Sequence, residues 1–390
     1  LALLKVAANG TVHLANGIYT GSSSVATDGV KLVGESRDGV LVRELQELPA
    51  DNSHQGYAIG VFGKNFCVSN VTFTTSSAGL FPVDAKNLNY NCSVCNCVFR
   101  ENRIGIVEGN LGQRSTSYCL SVDHSTFINN TKHGIAFFNC VRASNCLFSG
   151  NAIDGVNGDV NSSSASPVIQ QCTFIDNGSY GYRETYGSTS SRVNGYIVNS
   201  IFYRNGLGLG NGAGVLGEDK VFVYSCFFYA TPNMTKASTT SLSPPVNNDP
   251  IEADPLLDLS DARYGRLNDG SPCAKAGSDF VVSGCFTYCT DDLAYDTRPS
   301  TTALDVGCFI SPETMEDLIG HGYSYLTIVG VPGEYGEPNI AYGKTLYKDG
   351  TVVSLSISSG MVTYDGGARG YPVSDVKRVA YKGYALKRDS

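Results

Sequence analysis

The chain has 390 residues, 16% of them charged, with 44 glycines, no tryptophan and a formal net charge of −8. That balance argues against nucleic acid as a partner and disfavours acidic polymers unless a cation intervenes. No run approaches the roughly 18 apolar residues of a membrane span, so no transmembrane segment is expected, and the start at Leu1 rather than Met points to a trimmed chain.

Residues 1–62 are predicted to open a coil, with VHLANGIYTG (12–21) and VKLVGES (30–36) as strand and turn units. From 63 to 230 a regular repeat takes over. Its marker is a Phe preceded by Asn and followed three residues later by another Asn, at Phe73, Phe99, Phe127, Phe148, Phe174, Phe202 and Phe228, with spacings of 26, 28, 21, 26, 28 and 26 residues. Self-similarity at this period, rich in strand formers and punctuated by Gly, predicts a solenoid of stacked rungs. The expected fold is all-β: a right-handed parallel β-helix, its rungs about 4.8 Å apart, followed by a small antiparallel β-module.

Stacked rungs turn equivalent residues into ladders. One ladder is Asn70, Asn96, Asn145 and Asn199, with His124, Gln171 and Ser225 as variants, and a second is Asn102, Asn130, Asn151, Asn177 and Asn205. Asn suits both because it tolerates left-handed backbone and bonds neighbouring peptide groups at sharp turns. The Phe row is expected inside the coil, with Gly105, Gly134, Gly155, Gly181 and Gly208 opening the next strand.

Thirteen cysteines do not read as a disulfide framework. Cys97, Cys146, Cys172 and Cys226 share one ladder position, and parallel stacking holds their Cβ atoms slightly beyond the roughly 3.5–4.5 Å that a bridge needs. They are expected as small buried hydrophobes. Cys285 and Cys289, in a loop-like stretch, are better candidates for a bridge.

Residues 231–250 are polar and Pro-rich and are predicted to be a loop leaving the regular coil. A closing unit over 250–310 follows, then a linker at 311–322, and at 323–390 an alternation of apolar and polar residues between Gly and Pro turns that predicts the β-module, with its strand pattern incomplete at the end.

Within the closing unit, ADPLLDLSDARYGRLNDGSPCAKAG (253–277), TDDLAYDTRP (290–299) and LDVGCF (304–309) resemble the C-terminal end of bacterial right-handed β-helix surface proteins with a choice-of-anchor Q region. In that family the pattern runs DP, a YRL-like strand, GSPAIDAG, a TDxDGxxRP-like loop and DIGAYE. Here Cys273 and Cys308 replace family alanines and Phe309 stands where Tyr is usual. Two cysteines in one closing unit leave a bridge between them open. ANGIYTG (15–21) likewise resembles the opening rung of pectin-lyase-like β-helix proteins, and EYGEPNIAYG (334–343) resembles modules that follow β-helices in bacterial surface proteins. The resemblance implies a secreted or cell-surface protein of bacterial origin.

No nucleotide loop, zinc spacing or nucleophile elbow occurs, so candidate chemistry is read by rung phase. GIVEG (105–109), GIAFFN (134–139), GVNGD (155–159) and GYRETY (181–186) should stack. Strand alternation sends Ile106, Ile135, Val156 and Tyr182 inward, and Val107, Ala136, Asn157 and Arg183 outward. His133 and Asp154 share a position on neighbouring rungs, flanked by Lys132 and Glu184. The expected polar patch is therefore His133, Asp154, Asn157, Asp159, Arg183 and Glu184, with Tyr180, Tyr182 and Tyr186 close by as faces for sugars.

A polysaccharide lyase needs a cation beside the uronate carboxylate and a base for the α-proton. Arg183 and Lys132 are the basic candidates, and Asp154 and Asp159 the calcium candidates. A glycoside hydrolase needs two carboxylates about 5–9.5 Å apart, for which Asp154, Asp159 and Glu184 qualify by rung arithmetic. Arg183, Asp154 and Asp159 thus form the catalytic set, and Lys132, His133, Asn157, Tyr182 and Glu184 the substrate-binding set. The competing reading is that outer coil positions must be polar for solubility, so such charges occur on an inert stalk, and His133 beside Asp154 is then a surface pair worth under about 1 kcal/mol. The leading expectation is a surface protein engaging extracellular polysaccharide along the coil face. The alternatives are a lyase or hydrolase on acidic glycans and a structural or adhesive stalk.

Overall fold

The computed structural model describes residues 5–44, 56–82, 91–108, 119–138, 140–160, 166–186, 194–206, 213–217, 221–229, 234–236, 246–248, 251–260, 264–277, 293, 304–309, 311, 323–330, 342–348, 356–358, 361–364, 369–372, 376–381 and 384–387. Every regular element among them is a strand. Three parallel sheets, of ten, nine and nine strands, each take one strand per rung. The first sheet runs from Thr11–Leu14 to Val246–Asn248, the second from Gly17–Thr20 to Phe227–Tyr229, and the third from Ser23–Val25 to Met234–Lys236. This is the expected parallel β-helix.

The marker Phe residues form its spine. Phe73, Phe99, Phe127, Phe148, Phe174, Phe202 and Phe228 stack with ring centroids 4.7–5.0 Å apart and interplanar angles of 2–8°. Each buried ring contributes about 2–3 kcal/mol by leaving water, and each offset stack adds about 1 kcal/mol. The glycine row exists because of this spine. A Cβ on Gly134 would lie 2.6 Å from the Gly155 carbonyl oxygen and 3.0 Å from the Phe148 ring, and one on Gly155 would lie 2.8 Å from the Phe174 ring. Gly208 of that row lies outside the described residues.

The two Asn ladders do different work. Residues of the first have φ of 46–57°, including the variants His124, Gln171 and Ser225, so they are the left-handed corner between the first and second sheets. The second ladder does not share that backbone. Its left-handed corner falls one residue earlier, at Glu101, Asn129, Gly150, Asp176 and Arg204. Asn102, Asn130, Asn151, Asn177 and Asn205 are buried instead. The Nδ2 of each of the first four donates to the next Oδ1 at 2.8–3.2 Å. All five Nδ2 groups also donate to a Phe carbonyl of the preceding rung at 3.0–3.2 Å. One ladder is set by backbone conformation and the other by satisfying buried polar groups.

Cys97, Cys146, Cys172 and Cys226 are buried and unbridged as expected, with Ser125 and Ser200 at the same phase. Burial pushes the Cys97 and Cys226 thiols up to about 12, and burial with the neighbouring Cys172 raises Cys146 as well.

The described parts of 231–250 belong to the coil rather than to a loop leaving it. They hold Met234–Lys236, paired with the third sheet, and Val246–Asn248, paired with the first. Ile251 then bridges Phe227 as a last position on the second sheet. From there the closing unit folds back over the outside of the second sheet. Leu147 and Ile175 of that sheet pack with Leu293, Cys308 and Phe309, while Ile201 and Phe227 pack with Leu267, Cys273 and Val306. The unit's resemblance motifs are structural: Ser271 Oγ donates to the Pro255 carbonyl at 2.6 Å, and Asp305 accepts the Lys275 N–H at 2.8 Å and the Ser311 N–H at 2.5 Å. Cys273 and Cys308 are free thiols in two separate apolar clusters, so the bridge left open between them is absent. Cys285 and Cys289 lie outside the described residues.

The C-terminal strands are antiparallel. Tyr323–Gly330 pairs with Tyr342–Lys348 and with Val376–Tyr381, which pairs with Tyr384–Lys387. Ser356–Ser358, Met361–Tyr364 and Arg369–Pro372 form a separate three-stranded sheet.

Candidate functional site

With the second sheet covered on rungs four to seven of the Phe row, the outer face of the third sheet is where the phase reading puts its candidates. The register agrees with that reading. Ile106, Ile135, Val156, Tyr182 and Val215 pair in sequence and are buried in the core, and Val107, Ala136, Asn157 and Arg183 pair in sequence on the opposite face. Arg183 and Asn157 are half-buried neighbours on consecutive rungs. Among the described residues nothing hydrogen-bonds the Arg183 Nε, and its guanidinium lies 6.0 Å from the Tyr180 ring centroid.

The carboxylates are elsewhere. Asp154 is 0% exposed, with Oδ1 accepting the Tyr180 N–H at 3.2 Å and Oδ2 lying 3.2 Å from His133 Nδ1. It ties three rungs at the start of the third sheet rather than facing solvent as a calcium ligand. Glu184 is also 0% exposed and accepts a hydrogen bond from the Tyr182 hydroxyl. Alternation explains this: two residues from the inward Tyr182, Glu184 must point inward too. Neither Tyr182 nor Glu184 lies on the outer face expected of a substrate-binding residue. A buried carboxylate held by a phenol is a satisfied core pair. Asp159 pairs with Thr185 in the backbone register; its side chain, like that of Tyr186, lies outside the described residues.

His133, with a side chain 12% exposed, sits at the rim of the face with Asp154 beneath it. Lys132 precedes it, and its backbone N–H bonds the Arg103 carbonyl at 2.8 Å. Arg103 is therefore the rung neighbour of Lys132 rather than an isolated charge, and burial together with the Arg103 guanidinium holds the Lys132 ammonium below the usual lysine range. The face thus gathers Arg103, Lys132, His133, Asn157, Tyr180 and Arg183, while Asp154 and Glu184 are withdrawn into the wall. Such a set can bind carboxylate or hydroxyl groups through a guanidinium fork and an amide.

Sequence reading missed the partnership of Arg103 with Lys132, which the repeat phase contains, since Arg103 and Lys132 each precede the residues that pair as Ile104 and His133. A cavity of about 420 Å³ at the first rungs, lined by residues such as Val12, Leu14, Ile18, Tyr19 and Leu32, has no charged side chain in its wall.

No family model matches the chain, and no curated protein matches it. Solved structures do. The pectate lyase Pel9A aligns with a TM-score of 0.45 at 14% identity over 80% of this chain and 90% of that one. A carrot pectin methylesterase aligns with a TM-score of 0.39 at 8% identity over 68% of this chain and 87% of that one. The mannuronan C-5 epimerase A-module of Azotobacter vinelandii gives 0.36 at 14% identity, over 63% and 87%.

Proposed function

We propose that this protein engages extracellular polysaccharide along the outer face of the third sheet, as a secreted or cell-surface protein. The observation that carries the reading is Arg183, a half-buried cation on the outer row beside Asn157, with its guanidinium 6.0 Å from the Tyr180 ring centroid; its Nε is itself buried and has no hydrogen-bond partner among the described residues. Asn157 and Arg183 on consecutive rungs offer two contacts about 4.8 Å apart, a spacing suited to a chain lying along the coil. No helix among the described residues is long and apolar enough to cross a membrane. The basic character of the face favours acidic sugars despite the chain's net charge of −8, because local rather than total charge decides a contact within a Debye length of about 8–10 Å. A glycan array carrying uronate-containing and neutral polysaccharides tests it; binding confined to uronate chains supports it, and a blank array in the folded protein returns the coil to the stalk reading.

One observation favours a second, enzymatic reading. Asp154 Oδ2 lies 3.2 Å from Nδ1 of a partly exposed His133, a close contact that does not meet hydrogen-bond geometry, and it places a carboxylate behind an imidazole at the edge of the face. In that reading His133 is the base for a uronate α-proton, Arg183 or Lys132 meets the carboxylate, and Asp159 is the candidate calcium ligand. Formation of 4,5-unsaturated product, with and without added calcium, separates lyase from binder. A hydrolase using Asp154 and Glu184 as its carboxylate pair is disfavoured by their burial.

A further inference from the structure

A second cluster lies at the corner between the first and second sheets, away from the third-sheet face. Cys95 ends one first-sheet strand, Asp123 ends the next and pairs with it, and His124 follows at the left-handed corner. One donor atom from each of Cys95, Asp123 and His124 lies within 4.8 Å of the other two. His124 is buried, with Nδ1 2.7 Å from Asp123 Oδ2, while the Asp123 side chain is 43% exposed. Ser144, one rung on, donates to Asp123 Oδ1 at 2.5 Å and holds the carboxylate in place.

The repeat does not impose these three residue types: the position of Cys95 and Asp123 varies on through Val198 and Tyr224, and the corner of His124 is also Gln171 and Ser225. At the phase of Cys95 and Asp123 the flanking rungs carry Ser69, Ser144 and Gln170, and at the phase of His124 the flanking rungs carry Asn96 and Asn145. Asn at that corner already satisfies the backbone and bonds its neighbour, as Asn96 does to Asn70 at 2.8 Å. Folding therefore does not require His there, nor a thiol and a carboxylate beside it. What the three share is the juxtaposition of their donor atoms, and that juxtaposition carries the inference.

We infer that Cys95, Asp123 and His124 bind a divalent transition-metal ion, zinc foremost. A thiolate, an imidazole and a carboxylate are the zinc donor set, and three protein ligands leave a fourth position for water. The thiolate disfavours calcium and magnesium, which take oxygen ligands. Bond lengths of about 2.0–2.3 Å place tetrahedral donors roughly 3.5 Å apart, so small side-chain rotations from the present positions suffice. Binding displaces the Cys95 thiol proton to solvent, together with any proton that His124 holds on its coordinating nitrogen. The ion links two successive rungs at an exposed corner, and the fourth position faces solvent on the Asp123 side.

The test uses the full chain, stripped with chelator under reductant and titrated with cobalt(II) and then zinc(II). Three variants take the residue that a neighbouring rung already uses: Cys95→Ser, Asp123→Ser and His124→Asn. The expected result is one cobalt per chain with a thiolate-to-metal charge-transfer band that is lost in Cys95→Ser. Zinc affinity should fall more than about tenfold in each variant, and zinc should raise the unfolding midpoint of the parent but not of Cys95→Ser. A cobalt complex without the thiolate band, a band that survives Cys95→Ser, or equal zinc affinity across all four proteins overturns the inference. The cobalt spectrum of the parent decides the matter even if a variant folds poorly.

Discussion

The backbone N–H of Cys308 donates to the Thr173 hydroxyl at 3.0 Å across 135 residues of chain. That bond, with the Gly307 N–H on the Asn199 carbonyl at 2.9 Å, fastens the closing unit to the outside of the coil. It decides which face of the coil remains for a ligand. The second sheet's outer residues Leu147, Ile175, Ile201 and Phe227 are apolar because they are an interior between coil and closing unit.

Removing one apolar anchor of that interior should therefore cost as much as a core truncation. Phe309→Ala, at a site 2% exposed, is expected to destabilise the protein by about 3–5 kcal/mol and to raise amide exchange along Leu147–Ser149 and Thr173–Ile175. Urea unfolding with hydrogen exchange checks both; unchanged exchange at those strands would mean that the closing unit does not protect them.

The two Asn ladders should respond unequally to loss of the side chain. Asn151→Gly removes the side chain's bonds to the Phe127 carbonyl, to Asn177 Oδ1 and to the backbone and side-chain N–H groups of Asn130, at 2.8–3.3 Å, while Asn177 Oδ1 keeps the Asn151 N–H and Asn130 Nδ2 keeps the Phe99 carbonyl. At about 1–3 kcal/mol for each buried unsatisfied group, a loss of about 3 kcal/mol or more is expected. Asn70→Gly keeps a residue content at φ 57° and gives up two partly exposed hydrogen bonds, for a loss of about 1 kcal/mol. Paired denaturant titrations of the two variants read the difference directly.

The buried cysteine ladder implies an alkaline limit to stability. In the folded state the Cys97 and Cys226 thiols are held up to about 12 by burial, whereas in the unfolded chain they ionise near about 8.5. Above that pH the unfolded state has released protons that the folded state still holds, so stability falls as pH rises, at up to about 1.4 kcal/mol per thiol per pH unit. Urea unfolding in reductant from neutral to alkaline pH should show the decline, and Cys97→Ser, which copies Ser125 of the next rung, should make it shallower.

Much of the coil was legible in the sequence because a parallel solenoid makes every interior constraint recur. Phe, Asn, Cys and Gly each appear at one phase, and phase alone gave the inward row from Ile106 to Tyr182 and the outward row ending at Arg183. The depth of Asp154 was not legible, since its position precedes a glycine where simple alternation does not fix which way a side chain turns. Glu184 was legible by alternation and was misassigned to the patch because its charge suggested solvent, whereas Tyr182 satisfies it inside. The fold-back of the closing unit had no clean signal: the outer row of the second sheet runs Thr72, Val98, Thr126, Leu147, Thr173, Ile201 and Phe227, mixing Thr with apolar residues along its length, and all seven are buried. His124 reads as one more corner residue until Cys95 and Asp123 are seen around it.

The proposed binding of an acidic polysaccharide to the outer face of the third sheet runs through Arg183. Its most direct test is calorimetric titration of the parent, Arg183→Ala and Lys31→Ala with one uronate oligosaccharide, with melting curves as a fold control; Lys31 is an exposed cation on the first sheet. The account predicts that Arg183→Ala weakens binding by at least about tenfold, the loss of one charge-assisted hydrogen bond worth about 1.5–3 kcal/mol, while Lys31→Ala binds as the parent does. Equal binding by a folded Arg183→Ala protein, or an equal loss in both variants, would contradict it.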